Sequence, residues 1–412
     1  MVKNFQKGKI VACLDLGSSK LFCIIAQNNN DQVKILGYGH KKSKGIYGSA
    51  ITDMRLAQKS IISVVAEAEK MAGFNIDRLL VSISANHCVS SNQEVTVGVV
   101  SDVVKNNDIL NLASKVRSFY KKHNHEIIHL IPIQYIIDGT NPVTNPRYMS
   151  GKKLSAKFHV VSTPNTIIKN IENCLKRCQL SVDSYIVQPY SSALSCLSKN
   201  DIHLGSLMID IGGSATSVAI LTEGKLVYVN QAPIGGIQIT KDISSVLNID
   251  FSLAEQIKNL NSSIIISPME EHEIVKLGDL DINFEEDNIN ITRIEFSQII
   301  ESRLEEIFES VKKVLTKSNI PLNMINNVVI SGGSTEIVGI DKLASYILGK
   351  TVKIAYPNKI NLSLPELIKP ANCCSVGMLV FLKNLYSQEK IKNSFETKTS
   401  WFRKAIDKIA QI

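Results

Sequence analysis

The chain has little of what would mark a nucleic-acid binder, a zinc protein or a membrane-spanning one. Only eight of its 46 basic residues are arginine, aromatics make up 6%, and no basic patch is interleaved with aromatic side chains. Nucleic-acid surfaces use guanidinium forks and stacking rings, so a net charge of +8 on 412 residues does not point to one. Eight cysteines occur, yet there is no Cys-x-x-Cys pair and no Cys/His spacing of the zinc kind. Several sit inside apolar runs (VACLDLG, LFCIIA, ALSCL), where they read as small buried hydrophobes in a reducing compartment. No apolar run approaches the ~20 residues that cross a bilayer. Lysines at 3, 7 and 9 precede an apolar stretch, but Asp15 interrupts it and no small-residue cleavage site follows, so no secretory leader is expected.

What the chain does have is a recurring strand-to-glycine turn. It appears as DLGSSK at Asp15–Lys20, as DIGGSAT at Asp210–Thr216, and as ISGGSTE around Gly332, Gly333 and Ser334. In each, an apolar run ends in a turn whose glycines carry no Cβ, so backbone N–H groups can approach an anion closely. In the first, Gly17 gives the approach, Ser18 and Ser19 offer hydroxyls, and Lys20 can neutralise phosphate. In the second, Gly212, Gly213 and Ser214 take that part, and Gly235-Gly236 forms a further turn before a helix expected from Thr240. Singly, each turn is equally a plain β-turn. Two Asp-Gly turns about 195 residues apart in the sequence, joined by a third, point to two similar halves around a cleft.

The rest of the chain fills in those halves. Three consecutive strands open it, followed by a helix from Asp53 to Gly73 and a strand at Leu79–Ser84; this order is not that of a Rossmann domain. From 86 to 162 a compact α+β insertion is expected, with a helix at Asp108–Lys122 and a strand pair within Ile127–Ile137. A helix is expected over Pro164–Leu180, capped by Thr163 or Asn165. Two helices rich in small residues, QPYSSALSCL from Gln188 and ANCCSVGML from Ala371, suit close packing between lobes. Glu255 and Lys258 share one helix face at i, i+3. Residues 263–292 read as strands and turns, and Glu295–Ser318 as a long helix.

This ordered set resembles the actin-like ATPase superfamily and, within it, the FtsA family of bacterial cell-division proteins, over nearly the whole chain. The resemblance implies an α/β actin-like ATPase fold, two lobes around a nucleotide cleft, with an inserted α+β subdomain typical of FtsA. The first lobe would comprise 1–85, 163–202 and 371–386. The insertion would be 86–162. The second lobe would have a nucleotide-facing part (203–240 and 325–370) and an outer part (241–324), before a linker at 387–400. The resemblance assigns Asp15–Lys20 and Asp210–Thr216 to the two phosphate motifs, Gly332–Thr335 to the adenosine motif, and Glu255 and Lys258 to nucleoside contacts. It implies ATP, with Mg²⁺ steered through water by Asp15 and Asp210. It also implies the FtsZ C-terminal tail as a partner, self-assembly into filaments, later division proteins, and a place on the cytoplasmic face of the inner membrane at the septum. Arg303 is the basic residue best matched to the FtsZ contact. One departure bears on activity: where related chaperones have Glu-Pro, this chain has Gln188-Pro189. An amide orients water but is no base at neutral pH, so weak ATPase activity at best is expected. A pilus-assembly relative and a small-molecule kinase of the same fold stand as alternatives.

The last twelve residues are WFRKAIDKIAQI. At about 100° per residue, Trp401, Phe402, Ala405, Ile406, Ile409, Ala410 and Ile412 occupy one half of a helix. Arg403, Lys404, Asp407, Lys408 and Gln411 occupy the other. At about 18 Å this helix is too short to span a bilayer, and its aromatic face and basic face suit anionic lipid. A helix docked on its own domain would show the same pattern. Removing 401–412 is therefore expected to abolish co-sedimentation with anionic liposomes while ATP binding persists; liposome binding that survives the deletion refutes the lipid reading.

Overall fold

A computed structural model describes residues 9–29, 32–275, 291–358, 360 and 364–393. Its first sheet forms because KIVACLDL and KLFCIIAQNN are apolar enough to be covered on both faces. Strands Lys9–Leu16 and Lys20–Asn29 pair antiparallel with Leu16 opposite Leu21, so Gly17, Ser18 and Ser19 form the tip. Gln32–Lys42 extends the meander, while Arg78–Ile83 and Ser181–Val187 add on the other side in parallel. The second sheet has the same plan. Ser206–Ile211, Thr216–Thr222 and Lys225–Ala232 form the meander, and Asn327–Ser331 and Val352–Ile354 add in parallel. Asp15 and Asp210 thus stand near the carboxyl ends of equivalent strands, the side of an open sheet where ligands bind.

Between Arg78–Ile83 and Ser181–Val187 lies a separate four-stranded sheet, ordered Val89–Gly98, Lys153–Pro164, His125–Ile137, Pro142–Val143. Helix Asn106–Lys122 covers one face through Ile109, Leu112 and Val116 against Leu130, Phe158 and Val160. The expected strand pair at Ile127–Ile137 is instead one 13-residue strand. Pro132 is tolerated because a register shift at Lys157/Phe158 skips Ile133, and the side facing Pro142–Val143 pairs only at Tyr135 and Ile136.

Other differences have equally local causes. The helix expected from Thr240 begins at Gly236, because the carbonyls of Gly212 and Gly213 accept its first amides (2.9 and 2.8 Å) and Gln238 Oε1 accepts from Gly235 N–H. Helix Asn165–Arg177 has Pro164 at its cap and no side-chain cap; Thr163 Oγ1 donates instead to the His87 carbonyl. A six-residue helix, Lys199–Leu204, was not anticipated, although Ser198 and Asp201 form a capping box. Of the strands expected in 263–292, the described residues make only isolated bridges, Ser263 to Val338 and Ile274 to Thr292. The helix Cys373–Asn393 runs into the segment expected as linker. Residues 394–412, including Trp401, Phe402, Arg403, Lys404, Ile406, Lys408 and Ile409, lie outside the described residues.

The lobes are joined by helices Gln188–Cys196 and Cys373–Asn393, which cross backbone to backbone. A Cβ on Gly377 would stand 1.7 Å from the Ser191 carbonyl oxygen, and Ser191 Oγ donates to the Cys374 carbonyl at 2.7 Å. Gly377→Ala must push the helices apart. A loss of about 1–3 kcal/mol or more is expected, read as a lower urea midpoint; an unchanged midpoint would show that the crossing is slack.

Candidate functional site

The strand ends converge on a cleft of about 710 Å³ between the two sheets. Asp15, 8% exposed, enters it from the first lobe. Its Oδ1 accepts from Ser82 Oγ (2.6 Å) and from Gln188 Nε2 (3.0 Å), and its Oδ2 from Ser375 Oγ (3.3 Å). Gln188 Nε2 also lies within reach of Ser82 Oγ and the Leu16 carbonyl. The amide predicted to orient water is therefore fixed by its nitrogen. Lys20 Nζ donates to Asn372 Oδ1 at 2.9 Å. Burial lowers the Lys20 pKa, against the pull of Asp15 and Asp210.

From the second lobe, Asp210 Oδ2 accepts from Ser192 Oγ at 2.5 Å. Burial raises its carboxyl to about 6, opposed by the Ser192 hydrogen bond and by Lys20, and reinforced by Asp15. Gly332, at φ +97°, passes so close that a Cβ would sit 2.8 Å from Asp210 Oδ1; only glycine combines that φ with that approach.

The two Asp-Gly tips meet. Ser214 Oγ donates to Ser18 Oγ across the cleft at 2.7 Å, and Ser18 Oγ also accepts from Gly48 N–H. A Cβ on Gly213 would stand 2.0 Å from Ser19 Oγ. Farther along, Lys258 Nζ donates to Glu255 Oε2 (2.7 Å) and Thr240 Oγ1 (2.8 Å), and Thr240 Oγ1 donates to Glu255. Gly17, Gly212, Gly236, Gly333 and Ser334 also line the cleft. Gly235 lies just behind, with no room for a Cβ beside the Gly212 carbonyl.

Arg303 stands apart from this group. It forks onto Asp242 (Nε to Oδ2 2.5 Å, Nη2 to Oδ1 2.8 Å) and pairs with Glu306. It links its helix, Arg293–Thr316, to Gly236–Leu247, which is more than the single i, i+4 pairing a helix sequence suggests. Sequence reasoning missed Ser82, Ser192, Ser375 and Asn372, the residues that hold Asp15, Asp210 and Lys20. The signal was present as serines inside apolar stretches (LLVSIS, YSSAL, CCSV), which a buried carboxylate would explain.

Among the described residues no cluster of three or more His, Cys, Asp or Glu could hold a metal. Two cleft carboxylates suit Mg²⁺, which keeps waters and takes its remaining ligands from phosphates, so the donor set fits an ion that arrives with a nucleotide.

The Asp210 carboxyl also makes stability depend on pH. Its raised folded pKa means that the unfolded chain ionises first. Stability is full below the ordinary carboxylate range near 4 and falls as pH rises through about 6. In Mg²⁺-free buffer, Asp210→Asn is expected to fall less steeply than the wild type over that window in urea unfolding; parallel curves would mean that the cleft does not shift the Asp210 carboxyl.

Comparison with known proteins agrees with this fold. A family model described as "Cell division protein FtsA" matches residues 207–377, and one described as "SHS2 domain inserted in FTSA" matches 85–162. Cell division protein FtsA of Borreliella burgdorferi is 29% identical over 412 residues, covering 96% of this chain and 98% of that protein. The Bacillus subtilis protein of that name is 28% identical, covering 91% and 84%. Among solved structures, the PilM-PilN type IV pilus biogenesis complex aligns with TM-score 0.64 at 14% identity, covering 90% of this chain and 98% of that one. MreB5 of Spiroplasma citri bound to ADP aligns with TM-score 0.55 at 15% identity, covering 93% and 98%. At such identities the structural likeness is one of fold, and the fold is that of the actin-like ATPases. With two models of one family covering both the inserted sheet and most of the second lobe, the chain belongs to the FtsA family.

Proposed function

We propose that this protein is an ATP-binding, actin-like cell-division protein that assembles on the inner membrane face and tethers the FtsZ ring there. The observation that carries the nucleotide part is the meeting of two glycine tips across one cleft, with Ser214 on Ser18 and Asp15, Lys20 and Asp210 beside them.

Backbone N–H groups at both tips would grip phosphate oxygens, and Lys20 would offset their charge. Asp15 and Asp210 would hold the water shell of Mg²⁺, which supplies charge neutralisation on the phosphates. Glu255 and Lys258 lie where the nucleoside would rest. Gln188 offers an amide oxygen to a water but no base, so its part is orientation and hydrolysis is slow. Nucleotide then acts chiefly by drawing the two lobes together into a shape that assembles. The 401–412 helix would supply one weak lipid contact per subunit, multiplied by assembly. The FtsZ tail would dock on the outer part of the second lobe around Arg303, and later division proteins would join the same assembly.

The test is assembly on anionic liposomes with ATP, followed by retention of a peptide with the sequence of the FtsZ C-terminus. Asp210→Ala is expected to lose ATP affinity in calorimetry and assembly together, each at least tenfold. Unaltered assembly in that variant, or no peptide retained by the wild type, would sink the reading.

A further inference from the structure

The inserted subdomain is tied to the back of the cleft by one buried histidine. His129 lies in the strand His125–Ile137 and is 1% exposed. Its Nε2 accepts a hydrogen bond from the Val187 backbone N–H at 3.1 Å. Val187 is the cap residue of the first connector helix, and the next residue is Gln188, whose amide holds Asp15. The ring meets Tyr190 of that helix and Phe381 of the other connector edge to face, with centroids 5.2 and 6.1 Å away. Burial, with some help from His159, lowers the His129 pKa to about 3, so the ring is neutral and Nε2 remains an acceptor at cellular pH.

The surroundings make this more than an isolated core histidine. Ile128, Ile131 and Val161 of the insertion share one apolar cluster with Val187 and Ala193 of the first lobe and connector, and with Met208 and Val329 of the second lobe. The insertion also reaches the second lobe directly. Lys225 Nζ donates to the Ile133 carbonyl at 2.7 Å, and Val229 N–H to Ser90 Oγ at 3.0 Å. A tilt of the insertion would therefore move the acceptor that fixes the start of the connector.

We propose that His129 is a positioning residue through which the inserted subdomain sets the Gln188–Asp15 contact at the back of the cleft. The expected effect on ATP affinity rests on the nucleotide reading above; the positioning does not.

Three full-length variants test it. A Gln side chain at 129 carries an amide oxygen about as far out as Nε2, whereas Asn falls short and Leu has no acceptor. The first readout is hydrogen–deuterium exchange of peptides covering 10–16 and 187–192 in nucleotide-free protein; the second is the ATP dissociation constant. His129→Gln is expected to match the wild type. His129→Asn and His129→Leu should exchange at least tenfold faster at 187–192, with faster exchange at 10–16, and bind ATP about tenfold more weakly. If Leu does not fold, the Gln–Asn pair decides, since both are amides of similar polarity. Wild-type exchange in Asn, or equal change in Gln and Asn, overturns the proposal. Failure of the wild type to bind ATP would remove the nucleotide reading, and the exchange comparison would still decide the role of His129.

Discussion

Two helices can approach to backbone contact only where side chains vanish, and the Ser191–Gly377 crossing is such a place. It sets the separation of the lobes, because each connector is anchored in its own surroundings. The first continues from Val187, at the end of a first-lobe strand. The second follows Pro370, whose carbonyl accepts from Gly332 N–H. Serines on the same helices, Ser192 and Ser375, hold the two cleft carboxylates. Crossing and site are thus built from the same two stretches of chain. Small residues serve both ends, leaving room for the crossing and supplying hydroxyls short enough to reach Asp15 and Asp210.

Burying one carboxylate and half-burying another with a lysine costs free energy unless each is partnered. Here the partners are mostly neutral: Ser82, Gln188 and Ser375 around Asp15, Ser192 beside Asp210, Asn372 on Lys20. Neutral donors orient a carboxylate without cancelling its charge. Such an arrangement stays receptive to a cation, as a tight ion pair would not. The Glu255–Lys258–Thr240 group contrasts with it, since its charges already satisfy one another.

Much of this was legible because it rests on local rules. A glycine after an apolar run, an aspartate at its end and a small-residue helix are readable one stretch at a time, and the repeat of DLGSSK as DIGGSAT implied two like sheets. Partners distant in sequence were not legible. Ser82 reaches Asp15 across 67 positions, Asn372 reaches Lys20 across 352, and Asp242 captures Arg303 across 61. Periodicity carries no trace of such pairs. Boundaries failed where tertiary contacts replaced local signals, as at Gly236, whose helix starts early because a loop from another turn accepts its amides. The strand through Pro132 failed for the same reason: an open edge excuses a residue that propensity alone would make a break.

The shared plan of the two sheets makes Asp15 and Asp210 counterparts, and the turns align residue for residue through Ser19 and Ser214. The fold therefore repeats one strand plan in its two halves. A spherical ion between such halves would meet like surfaces, but a nucleotide, with a head and a tail, would not. Polarity must be written where the halves diverge. Lys20 has Ala215 as its counterpart, and the Gly332 turn follows a strand of one half only. Those departures from the repeat would give a nucleotide held between the halves its single direction.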